Sequence, residues 1–197
     1  MTQSWPRHKR AHPNKNHVKL SEYPPNRDEI AYAVTRHPYS RFISAFYHMV
    51  DACKDDFYYK NATVSDCDWL QKKRISMDIF NNDPNMFLEA MQEKIHPYHK
   101  VAQAIFYHFD IFKPQFYWLS DKFGKKIDPR LTMILKQENL EREFQKIADS
   151  LGEYPIWPRG KNSNSRLSTQ QIPLNDRSKA IIRSLYHDDF TYFPFQP

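Results

Sequence analysis

Residues 29–50 read EIAYAVTRHPYSRFISAFYHMV, and the reading of this stretch decides the fold. The apolar run Ile30-Ala31-Tyr32-Ala33-Val34 has the length and the β-branched and aromatic character of a buried strand. Pro38 keeps His37 out of the helical region and itself suits the first helical position, where a missing N–H has no partner to lose. A helix is therefore expected from Pro38. Phe42, Phe46, Met49 and Val50 recur at helical spacing and give it a core-facing side, while Ser40, Ser44 and His48 occupy another. The unit is strand, tight turn, helix.

A helix N-terminus offers unpaired N–H groups and the positive end of the macrodipole, which together favour an anion. Arg36 stands beside that terminus at the carboxyl end of the strand, and its fork of donors suits a phosphate bidentately. Ser44, two turns into the helix, adds a hydroxyl if the bound group lies along the helix rather than on its axis. The same residues admit a plainer reading, in which Arg36 pairs with a neighbouring carboxylate and Ser44 faces solvent.

The segment Arg36-His37-Pro38-Tyr39-Ser40-Arg41-Phe42-Ile43-Ser44-Ala45-Phe46-Tyr47 resembles the 3′-phosphate-binding segment of sulfotransferases that use 3′-phosphoadenosine 5′-phosphosulfate (PAPS). That segment runs approximately R-x-P-(Y/F)-x-R-(L/F)-x-S-x-(Y/F). In that family the first Arg and the Ser eight residues later hold the 3′-phosphate of the nucleotide. The resemblance implies that role for Arg36 and Ser44, with Arg41 matching the second Arg.

At 197 residues the chain is expected to form one domain with a proper core. A formal charge of +6 favours acidic partners such as phosphate, sulfate or nucleic acid without choosing among them. Its three glycines are Gly124, Gly152 and Gly160, so no glycine-rich phosphate loop precedes Arg36. Cys53 and Cys67 either close a small loop in an oxidising compartment or stay free, and Asn61-Ala62-Thr63 between them is a glycosylation sequon. No apolar run approaches the roughly 18 to 20 residues that span a bilayer, and residues 1–19 lack a signal-peptide core. The chain as written reads as soluble, in the Golgi lumen if it is part of a longer membrane-anchored product and otherwise in the cytoplasm.

Residues 1–19 carry Arg7, Lys9, Arg10, Lys15 and Lys19 and no acid, and read as a basic arm ahead of a domain at 20–197. His17 precedes Val18; a carbohydrate-modifying branch of the sulfotransferases, of Golgi type, has a catalytic His in a similar pair, and a solvated histidine is the alternative. Residues 54–82 form a polar insertion around a helix expected over Asp68–Phe80. Asp83 is expected to cap a helix from Pro84 to Glu93 that buries Phe87, Leu88 and Met91, with another over Tyr98–Phe106. The histidines His48, His96, His99 and His108 match no standard ligand spacing, so no metal is expected.

Further landmarks resemble the same family in the same order. Phe112-Lys113-Pro114-Gln115-Phe116-Tyr117-Trp118-Leu119 resembles a landmark of Golgi-type members in which a Pro-Gln pair precedes a strand. A strand is expected over Leu131–Leu135, followed by Gln137-Glu138-Asn139-Leu140 and a helix over Glu141–Leu151 closed by Gly152. The basic loop Trp157 to Arg166 is a lid over the nucleotide or a flexible connector; in the first reading Arg159 and Lys161 touch the cofactor. Asn175-Asp176 is expected to cap a last helix to Tyr186, and His187-Asp188-Asp189-Phe190 resembles the closing signature of the family.

The resemblance departs at one place. Family members hold the 5′-phosphosulfate in an N-terminal strand, loop and helix bearing Lys, Gly and Ser or Thr, well ahead of the Arg and Ser segment, and this chain begins too late to contain it. A fragment of a longer product, substitution of the loop by the basic arm, and a degenerate relative are the three explanations. Because that loop compensates charge at the transferring group, turnover by the chain as written is expected to be slow or absent.

The fold expected is α/β and P-loop-like: a short, mainly parallel sheet flanked by helices, with its first strand and phosphate loop missing and the ligand crevice at the carboxyl ends of the strands. The function expected is sulfuryl transfer from PAPS to a hydroxyl of a carbohydrate-like acceptor, with Arg36 and Ser44 on the 3′-phosphate and His17 as general base. No specific nucleic acid is expected among the partners. The alternative is a non-catalytic basic module that binds nucleic acid or a sulfated glycan.

Overall fold

The structure, a computed structural model, describes residues 19–22, 31–54, 77–151, 172–193 and 195. Among the described residues the sheet has two parallel strands, β1 (Ala31–Thr35) and β2 (Leu131–Lys136), paired through Ala33↔Ile134, Val34↔Leu135 and Thr35↔Lys136. Both strands reach one residue further than the sequence places them, β2 starts where expected, and Ile30, the expected start of the first, lies outside the described residues. Thr35 is buried at the end of β1 and its hydroxyl donates to the Leu135 carbonyl at 3.2 Å, tying the strand ends together.

Helix α1 (Pro38–Lys54) follows after two residues, with Pro38 at its start as its ring geometry favours. Phe42, Phe46, Met49 and Val50 are all buried, so the helical period read from the sequence is the face on the core. Opposite lie α2 (Pro84–Gln92), α3 (His99–His108) and α6 (Asp176–Leu185). Phe87 from α2 stacks on Phe112 with ring centroids 5.6 Å apart, and Phe106 from α3 stacks on the other side of Phe112 at 5.6 Å. This aromatic column fixes the flank of α1 from behind.

The helix starts follow their side-chain caps. Asp83 accepts from the Asn85 N–H at 2.8 Å, and Asn175 accepts from the Ser178 N–H at 2.7 Å. After β2 come a short 3-10 turn, Gln137–Asn139, and α5 (Leu140–Leu151).

Three expectations are corrected. The segment after Pro114 is not a strand but a short helix, α4 (Gln115–Leu119), because a buried carboxylate, Asp189, accepts the N–H groups of Gln115 and Phe116 and so satisfies its first turn. The helix capped by Asn175 ends at Leu185 and is not the last: α7 (His187–Tyr192) follows it and presents Asp189. Of the helix expected over Asp68–Phe80, the described part, Met77–Phe80, is a 3-10 turn, with Met77 and Phe80 anchoring it in the core. Most of the basic arm, the polar insertion, Cys67, the Cys53 side chain, the sequon and Gly152 lie outside the described residues.

Candidate functional site

At the carboxyl end of β1 the turn into α1 opens on a crevice of about 350 Å³. Arg36 enters it from the turn, and Arg41, Ser44 and His48 come from successive turns of α1. Gln115 from α4 and Gln137 from the segment after β2 close the opposite side. Among the described lining residues there is no carboxylate, so two guanidiniums and one imidazole share a concavity with hydroxyl and amide groups. That donor set takes an anion with several oxygens.

The N-terminus of α1 itself is partly occupied by side chains of the protein. His37 Nδ1 accepts from the Tyr39 N–H at 3.3 Å, and Glu138 Oε1 accepts from the His37 N–H at 2.7 Å. With these axial donors engaged, the open ground is the flank of the helix. Arg36, Arg41 and Ser44 meet there, the side of α1 on which the sequence sets Ser44 two turns in.

Burial pushes the Arg36 guanidinium below its ordinary pKa, and the charge of Glu138 offsets this in part. A guanidinium remains charged under any such shift, so Arg36 is a part-buried cation whose burial Glu138 offsets only in part. No ion pair involving Arg36 occurs among the described residues. The plainer reading, an Arg36 tied to a neighbouring carboxylate, therefore holds only as the longer-range charge of Glu138 and not as a direct ion pair among them. Arg41 has its Nη1 buried without a hydrogen-bond partner, its guanidinium lies 5.9 Å from the centroid of the Tyr186 ring, and its charge acts on Asp189. The Tyr186 hydroxyl donates to the Phe112 carbonyl at 2.6 Å, and burial drives its pKa upward.

Behind the crevice Asp189 is fully buried, and burial pushes its carboxyl above the ordinary range, against the pull of the Phe116 and Gln115 backbone N–H groups and of the Arg41 charge. Its Oδ2 accepts from the Gln115 N–H at 2.9 Å and its Oδ1 from the Phe116 N–H at 2.7 Å. Gln115 in turn reaches Arg36. Four stretches far apart in sequence, around Arg36, Gln115, Glu138 and Asp189, thus converge on the turn between β1 and α1.

A model of the sulfotransferase family matches residues 2–196. The chain belongs to the sulfotransferase family. No curated protein and no solved structure matches it. The match takes in all four converging stretches, which are the landmarks that carry the resemblance in the sequence.

Of the site residues expected for this sulfotransferase, Arg36 and Ser44 line one crevice, and His17, Arg159 and Lys161 lie outside the described residues. Sequence reading singled out neither Gln115 nor Asp189 as a site residue. The signal was the position of Gln115 directly after Pro114 and of Asp189 in a short acidic run, with nothing local to say that they meet 74 residues apart. Among the described residues no group of three or more potential metal ligands occurs, and no helix is long and apolar enough to cross a membrane.

Proposed function

We propose that this chain binds PAPS and transfers its sulfuryl group to a hydroxyl of a carbohydrate-like acceptor. Arg36 and Ser44 hold the 3′-phosphate and Arg41 adds a second positive charge; Arg159 and Lys161, outside the described residues, are proposed as further nucleotide contacts. The observation that carries the reading is the crevice itself: Arg36, Arg41 and Ser44 together, no carboxylate among the described lining residues, and membership of a family that transfers sulfuryl groups.

In the transfer, the acceptor oxygen attacks sulfur, the bond from sulfur to the bridging phosphate oxygen breaks, and adenosine 3′,5′-bisphosphate leaves with that bond's electron pair. The acceptor proton passes to a base, the role proposed for His17. Contacts at the 3′-phosphate are remote from the breaking bond and equal in ground and transition states. Their work is to seat the nucleotide so that the phosphosulfate end is held in one place.

Calorimetry with adenosine 3′,5′-bisphosphate tests the site. The wild-type chain binds, and Arg36→Ala weakens binding by about 1.5 to 3 kcal/mol, the value of a charge-assisted phosphate contact. Absence of binding by the wild type, or equal binding by Arg36→Ala, removes the assignment.

A further inference from the structure

The strand ladder ends at Thr35↔Lys136, so the peptide groups of Arg36 pass beyond the sheet. Such groups need other partners when they are half-buried. The side chain of Gln115 supplies both. Its Oε1 accepts from the Arg36 N–H at 2.7 Å, and its Nε2 donates to the Arg36 carbonyl at 2.9 Å. A side-chain amide thus pairs with the Arg36 backbone at two points, as a peptide group does in a ladder.

The amide is itself held. Its Nε2 also lies 3.4 Å from Asp189 Oδ2, and the same carboxylate fixes the backbone under it through the Gln115 and Phe116 N–H groups. An acceptor at that place requires the nitrogen of the side-chain amide on the Asp189 side, which sets the amide orientation and leaves Oε1 for the Arg36 N–H. Gln115 is 8% exposed and Asp189 is fully buried, so water competes little with either link. Three segments therefore form one hydrogen-bonded chain from α7 through α4 to the turn that carries Arg36.

We propose that Gln115, locked by Asp189, is the positioning residue of the crevice: it pins the Arg36 backbone so that the guanidinium stands ready for a phosphate before one arrives. This rests on the reading of the crevice as the 3′-phosphate site. Gln115 acts through Arg36, and its contribution is the ordering that Arg36 would otherwise undergo on binding.

The test is a double-mutant cycle on the full chain, with adenosine 3′,5′-bisphosphate as the probe. Gln115→Met keeps the length of the side chain and removes both hydrogen bonds to Arg36. In the wild-type background it weakens binding by roughly 2- to 12-fold, the range for ordering one long side chain. In an Arg36→Ala background it changes nothing beyond the error of the titration. A merely structural Gln115 lowers the unfolding midpoint but gives the same loss in both backgrounds. Hydrogen exchange of the Arg36 amide without nucleotide is the second measurement: Gln115→Met speeds it, whereas an unchanged rate contradicts the pinning directly. If the wild-type chain binds and Gln115→Met binds equally well, or loses the same factor in both backgrounds, the positioning role is wrong while the site stands. If the wild type does not bind at all, the 3′-phosphate reading falls and this role falls with it.

Discussion

Replacing Asp189 by Ala removes the carboxylate on which the start of α4 is built. Two backbone N–H groups, of Gln115 and Phe116, lose acceptors at 2.9 and 2.7 Å, in a place where Asp189 is fully buried and water does not take over. A buried donor left without a partner costs about 1–3 kcal/mol, so two cost roughly 2–6 kcal/mol. An opposing contribution comes from the charge, since burial raises the pKa of Asp189 and an ionised buried carboxylate is itself unfavourable. The hydrogen bonds prevail because there are two of them and the Arg41 charge already relieves part of the desolvation. The net loss expected is about 2–4 kcal/mol. Urea unfolding followed by far-ultraviolet circular dichroism measures it as a drop in midpoint at unchanged slope, on the order of 1–2 M for a typical slope. Asp189→Asn keeps one carbonyl acceptor, removes the charge and loses less. The pH dependence has a definite sign. A folded-state pKa above the unfolded one means that the native state holds the proton to higher pH, so this group's contribution falls as pH rises from the ordinary carboxylate pKa through the raised one. The advantage of wild type over Asp189→Asn therefore shrinks across that window as pH rises. A midpoint for Asp189→Ala indistinguishable from wild type would refute the reasoning.

Phe87→Ala removes one end of the aromatic column, where Phe87 is fully buried between Phe112 and Phe80, and costs about 3–5 kcal/mol in thermal or urea unfolding; a loss below about 1.5 kcal/mol contradicts the packing described. Asp128 takes Arg130 bidentately at 2.7 and 2.9 Å, which holds its carboxyl below the usual range, so its contribution is present above the ordinary carboxylate pKa and is lost as pH falls through the folded value. The stability gap between wild type and Asp128→Asn accordingly closes on acidification, and a gap that stays constant down to acid unfolding counts against the pair. Glu138→Gln keeps an acceptor for the His37 N–H and deletes the negative charge felt by Arg36, so it tightens sulfate binding by about 1.5- to 5-fold with little change in stability. Unchanged or weaker sulfate binding speaks against an anion at that crevice.

Much of the fold was legible because local chemistry and periodicity agree. The strand before Arg36, the helix from Pro38 and its face of Phe42, Phe46, Met49 and Val50 follow from spacing and from the proline rules. Asp83 and Asn175 cap the helices expected of them. The strand that the resemblance implies after Pro114-Gln115 is a helix here, and the group that satisfies its first N–H groups, Asp189, lies 74 residues on, beyond the reach of any local signal. The site was half legible for the same reason. Arg36 and Ser44 sit on one local unit whose geometry the sequence prescribes, whereas Gln115 and Glu138 reach the turn through tertiary contacts across 79 and 101 residues. His37 was legible as the residue before a proline, but its ring as acceptor for the Tyr39 N–H was not, since histidine is an uncommon cap.

The central claim is that the crevice beside α1 recognises the 3′-phosphate of a nucleotide. Comparing adenosine 3′,5′-bisphosphate with adenosine 5′-phosphate by calorimetry, for the wild-type chain, Arg36→Ala and Ser44→Ala, tests it most directly, because the two ligands differ only in the group in question. The account predicts that the wild type prefers the bisphosphate by about 10- to 100-fold and that Arg36→Ala largely erases the preference while leaving the weaker ligand unaffected. Ser44→Ala reduces it by a smaller factor. Equal affinity of the wild type for both ligands, or a preference that survives Arg36→Ala, would contradict it.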